Sequence, residues 1–79
     1  MDLEIGNVIQ LSDGLDYAVV QKIVVNKINY FYMITTNAPL QTIIVKQKDV
    51  DGEIVLETVV DEEELDYILY RIGQIVEHD

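Results

Sequence analysis

The sequence predicts an α+β domain: an antiparallel β-meander of about five strands, strongly bent or rolled into a partial small barrel, with one C-terminal helix packed on it. Three observations carry this expectation. Apolar residues alternate with period two in the first three quarters of the chain. Short polar segments rich in Asn, Asp and Gly interrupt the alternation at hairpin spacing. From Asp61 onward the apolar period lengthens to that of a helix.

The elements follow in order. Residues 7–11 (NVIQL) form a short β-rich run, ended by the turn signal Ser12-Asp13-Gly14. Residues 16–25 (DYAVVQKIVV) alternate, which places Tyr17, Val19, Gln21, Ile23 and Val25 on one face. The segment Asn26-Lys27-Ile28-Asn29 separates this strand from 30–35 (YFYMIT), and its asparagines tolerate the positive φ of a hairpin turn. Residues 36–41 hold the only proline, Pro39, and are expected to form a loop. Strands at 42–48 and 53–59 flank Asp49-Val50-Asp51-Gly52, whose Asp-Gly pair suits a tight turn. A helix is expected over about 62–77. Asp61 is its N-cap, with Glu64 completing a capping box and Val60 stapling to Leu65. Glu62, Glu63 and Glu64 stand in the first turn, where the helix dipole favours negative charge. Leu65, Ile68, Leu69, Ile72 and Val76 form the apolar stripe, with Ile75 at its margin. Gly73, at the edge of that stripe, suggests close approach to the sheet.

Seventy-nine residues make a single domain, 1–79. A chain of this size buries only about 60–65% of its unfolded surface, so its core is small. The strands at 16–25 and 30–35 are apolar on both faces, and one helix cannot cover both sides of a flat sheet. The sheet therefore curls on itself, or a second copy covers what remains, which makes a homodimer an expectation.

Composition narrows the function classes. The absence of cysteine removes disulfides, thiolate metal sites and cysteine nucleophiles together. A small disulfide-free domain with an acidic N-terminus and no long apolar run is expected in the cytoplasm, away from membranes. The formal net charge is −10, unevenly distributed along the chain. Lys22, Lys27, Lys46 and Lys48 occupy an acid-free stretch from 17 to 48. Asp49, Asp51, Glu53, Glu57, Asp61, Glu62, Glu63, Glu64 and Asp66 then follow without a base. Such a balance opposes direct binding of nucleic acid, whose phosphates require Lys and Arg.

No residue pattern carries catalytic or cofactor chemistry. With Gly52 at the sixth position of a calcium loop, the first position would be Gln47 and the twelfth Thr58, so the EF-hand register fails. His78, the only histidine, stands beside the C-terminus, and Ser12, the only serine, belongs to a turn. The four glycines are isolated, which leaves no phosphate-cradling loop. The chain is therefore expected to be non-enzymatic, with no cofactor and no metal.

What remains is surface. Tyr67 and Tyr70 project away from the helix's apolar stripe, on the face shared with Arg71 and Gln74. Tyr30 and Tyr32 add aromatic rings on the strands. Outward tyrosines are a common interface composition, so these six residues are the candidate interface for a protein partner or for self-association. Asp49, Asp51, Glu53, Glu62, Glu63 and Glu64 form a candidate acidic surface. They motivate a second expectation: a small acidic inhibitor, of the kind phages encode, that mimics nucleic acid on a nucleic-acid-binding protein.

Residues 5–20, IGNVIQLSDGLDYAVV, lead through a hairpin into YFYMIT. An Asp-Gly hairpin, the helix start ETVVDEEELD and an amphipathic helix complete the chain. This arrangement resembles the YrzB-like family of small acidic bacterial domains of unknown function, over most of the chain. The resemblance implies a bacterial protein and assigns no functional residue, because the family has no known activity.

Overall fold

The structure is a computed structural model that describes residues 3–76, with side chains through Gln74. The strands are β1 (Val8–Gln10), β2 (Asp16–Val25), β3 (Ile28–Thr35), β4 (Thr42–Val50) and β5 (Glu53–Thr58), followed by α1 (Glu62–Val76). The strands pair in sequence order as one antiparallel sheet, β1-β2-β3-β4-β5, curled into a half-barrel with α1 on its outer face. The expected helix end at 77, His78 and the side chains of Ile75 and Val76 lie outside the described residues.

Turn chemistry sets the register. Asp51 (φ 51°) and Gly52 (φ 82°) both take left-handed backbone between the paired residues Val50 and Glu53, the two-residue turn that matches strand twist. The β2–β3 hairpin is tighter than expected. Its turn is Asn26 (φ 50°) and Lys27 (φ 66°) alone, so Ile28 and Asn29 belong to β3, where Ile28 pairs with Val25. Between β1 and β2, the Gly14 N–H donates to the Leu11 carbonyl at 2.9 Å. The Asp13 carboxylate there accepts from the Leu15 N–H (2.9 Å) and the Tyr17 hydroxyl (2.8 Å). The β3–β4 loop closes around Thr35, a buried hydroxyl that accepts from the Gln41 N–H at 2.9 Å and donates to the Pro39 carbonyl.

The core has two compartments, one on each face of the sheet. The inner compartment gathers Leu3, Tyr17, Val19, Phe31, Met33 and Val45, closed by Ile9 of β1 and Leu11 just beyond it on one side and by Leu56 of β5 on the other. First and last strands meet one cluster because the sheet curls. The outer compartment packs Ile23, Tyr30, Ile44 and Val59 against Ile68 and Ile72 of α1. Burying each such large side chain contributes about 1.5–3 kcal/mol.

A β-bulge links the compartments and corrects the expected alternation. Val19 pairs with Met33, but Gln21 pairs with Tyr32, which leaves Val20 as an extra residue. The inserted residue reverses the parity of the strand. Tyr17 and Val19 therefore face the inner compartment, while Ile23 and Val25 face the helix. The five residues expected on one face are thus divided between two. Curl and bulge account for the two-faced apolar strands within one chain, and no second copy is needed to cover the inner face.

Candidate interaction surfaces

Asp61 caps α1 as expected, its carboxylate accepting the Glu64 N–H at 2.9 Å. The reciprocal half of the capping box is not formed. The Glu64 carboxylate instead accepts the Tyr30 hydroxyl at 2.7 Å and the Lys46 ammonium at 3.2 Å to each oxygen. Tyr30 and Lys46 are register partners on β3 and β4, so the pair presents two donors side by side to the first turn of the helix. Burial and the bond to Glu64 push the Tyr30 hydroxyl up to about 12. The Tyr30 hydrogen bond and the Lys46 charge hold Glu64 below the usual carboxylate value, against the opposing effect of burial.

The expected staple is also replaced. Val60 is 80% exposed, and the buried Val59 packs into the compartment that Leu65 borders. Leu69, expected on the apolar stripe, is 48% exposed at the helix flank. It overlooks a groove of about 250 Å³ shared with Tyr32, Ile44, Thr58 and Leu65. Gly73 makes no close approach: a Cβ placed there would meet nothing within 4 Å.

The six candidate interface residues therefore separate into three groups. Tyr67 and Tyr70 are exposed on the outward face of α1, where Arg71 Nη1 donates to the Tyr67 hydroxyl and Gln74 Nε2 to the Tyr70 hydroxyl, each at 3.0 Å. The Arg71 guanidinium also lies 5.8 Å from the Tyr67 ring centre. Tyr30 is buried beneath the helix and belongs to the core. Tyr32 is half-buried in the flanking groove. Only the four helical residues form one outward surface.

The candidate acidic residues fall into two groups. Asp49, Asp51 and Glu53 surround the β4–β5 turn, whereas Glu62, Glu63 and Glu64 begin α1 beyond the other end of β5. From Glu53, β5 runs five further residues, roughly 17 Å, before the chain turns into the helix that carries the second group. Between them Lys48 pairs with Glu57 at 2.7 Å and Lys46 with Glu64 at 3.2 Å. Lys22 reaches Glu4 at 3.8 Å. Three of the four lysines in the acid-free stretch thus meet acids from elsewhere in the chain, and the segregation of charge in sequence is not kept in space.

The chain matches no protein-family model, and comparison with curated proteins and with solved structures finds no similar protein. Likeness to the YrzB-like domains accordingly rests on the residue pattern alone. Among the described residues no helix is long and apolar enough to cross a membrane.

Two further hollows carry residues that the alternation pattern did not single out. One, about 290 Å³, lies at the β3–β4 loop with Asp16 as its one ionisable lining residue. The other is a cleft along the open side of the half-barrel, between β1 and β5. Its two adjoining parts, about 370 and 190 Å³, share Gln10, Leu11 and Leu56. In the sequence, the signal for this cleft is the meander itself, whose first and last strands have no later partner.

Proposed function

We propose that this protein is a non-enzymatic interaction module that binds a partner protein through the outward face of α1. The observation that carries the reading is the paired presentation of Tyr67 and Tyr70, 48% and 63% exposed, with both hydroxyls held by residues one helical turn on. A tyrosine ring has few rotatable bonds, and an (i, i+4) partner restricts it further. Little conformational entropy is then left to lose when a partner covers it. Arg71 adds a cationic, planar donor beside the rings, the composition of an interface hot spot. Self-association through the same face is the homotypic form of this reading.

Affinity capture from the native cell, comparing the wild type with a Tyr67→Ser/Tyr70→Ser double variant, tests the proposal. Circular dichroism should show an unchanged fold, because neither ring is buried. A specific partner should be recovered with the wild type and lost with the variant. Equal recovery by both proteins would refute a role for this face. Light scattering after size exclusion separates the homotypic form, which requires a dimer that the double variant dissolves.

A further inference from the structure

We propose that the free edge of β5 receives an extended, basic segment of a partner protein, which adds as a further strand and lays alternate apolar side chains into the cleft beside β1. This surface is distinct from the helix face, so either can fail without the other.

The first argument is the backbone. One edge of β5 is paired with β4 from Val50–Glu53 to Val45–Thr58, and the sheet ends there. The other edge faces no strand among the described residues. Natural sheets guard such edges with lysine, proline, bulges or a covering element. At its centre β5 has Ile54, Val55 and Leu56 instead, with Ile54 43% and Val55 42% exposed. β1, the opposite edge, is three residues long and offers a shorter template.

The second argument is the cleft. Strand addition gains affinity from main-chain hydrogen bonds and specificity from pockets that take every second side chain. Ile54 and Leu56 line the hollow beside the edge, together with Ile9 and Leu11 from across the opening. An added strand would point alternate residues into this hollow, as β5 itself does.

The third argument is charge, which selects the occupant. Asp49, Asp51, Glu53 and Glu57 flank the exposed apolar centre of the β5 hairpin, and only Glu57 has a lysine partner among the described residues. A second copy joined edge to edge would set two such acidic hairpins against each other, in a protein of net charge −10. A segment alternating Lys or Arg with apolar residues removes that repulsion and meets the carboxylates.

The test uses the whole chain, isotopically labelled, and two synthetic peptides: acetyl-(Lys-Val)n-amide and acetyl-(Glu-Val)n-amide, with n of about four to span β5. Amide chemical shifts should move in β5 and β1 with the Lys-Val peptide and stay fixed with the Glu-Val peptide. Affinity should fall at least about tenfold when salt is raised from about 0.05 M to 0.5 M. The Ile54→Lys variant, altered at an exposed position, should lose binding. Glu53→Lys, which leaves the apolar cleft intact, should weaken it, and Tyr67→Ser/Tyr70→Ser should bind as the wild type does. Shifts confined to α1, equal binding of both peptides, or no shifts in β5 would overturn the proposal. So would β5 shifts that depend on protein concentration without peptide, since these would make the occupant a second copy.

Discussion

Tyr30 shows how much one side chain can join. Its ring fills the outer compartment, its hydroxyl donates to Glu64 of the helix, and Lys46 completes the clamp from the neighbouring strand. The hydroxyl titrates near 12 rather than its ordinary 10, so the folded state holds that proton more tightly than the unfolded state does. The stabilisation is complete below about pH 10 and is lost as pH rises towards 12, by about 2–3 kcal/mol. Urea unfolding at about pH 9 and pH 11 should show about half of this loss in the wild type and a smaller one in Tyr30→Phe, which lacks the hydroxyl. At neutral pH the same variant should cost about 1.5–3 kcal/mol, the value of a hydrogen bond to a charged group. Glu64 acts in the opposite sense. Its carboxyl is held low, so its contribution is present above the usual carboxylate range and disappears as pH falls through the lowered value.

At the scale of elements, local signals were legible where they act within a few residues. The Asp51-Gly52 turn, the Asp61 cap and the acidic first turn of α1 all stand where the sequence places them. Signals that depend on a neighbour were redirected. Glu64 could reach back to the cap or across to the sheet, and two donors on β3 and β4 decide for the sheet. Val59 rather than Val60 meets the helix, because the chain leaves β5 with Val59 N–H bonded to the Ile44 carbonyl at 2.9 Å and its side chain in the outer compartment. Gly73 is the clearest case. The apolar pattern suggested close packing against the sheet, but no atom stands where a Cβ would be. Gly73→Ala should therefore stabilise the protein by about 0.5–1 kcal/mol through helix propensity alone, read as a shift of the urea midpoint at constant slope.

At the scale of the whole molecule, the bulge at Val20 decides the architecture. Period-two alternation was visible throughout β2, but no residue type marks where one extra residue enters the ladder. Were Val20 instead to take a regular place in the ladder opposite Tyr32, Ile23 and Val25 would face the inner compartment and the helix would lose part of its seat. Deleting Val20, itself 43% exposed, removes the unpaired residue and keeps the Val19–Met33 and Gln21–Tyr32 pairs, so Ile23 and Val25 should still face the helix. We expect cooperative thermal unfolding, followed by circular dichroism, to survive that deletion, whereas deleting the paired residue Lys22, which turns Ile23 and Val25 to the inner face, should abolish it. Charge is also settled at this scale. A chain that reads as acidic ends around a basic middle becomes a fold in which strands and helix exchange partners, with Lys46 and Lys48 dividing two acidic groups.

The sequence by itself determined the number and order of the elements, the helix cap and the glycine turns, because propensity, capping and hairpin geometry act over a few bonds. It also left both faces of the strands apolar and so posed the question of what covers them. Only the tertiary structure answered it. Curling the sheet brings Leu11 and Leu56, 45 residues apart in the chain, to one cleft, and the bulge turns half of β2 towards the helix. Those outcomes depend on long-range register and closure, whose free energy comes from contacts between distant segments and is written in no local run of residues.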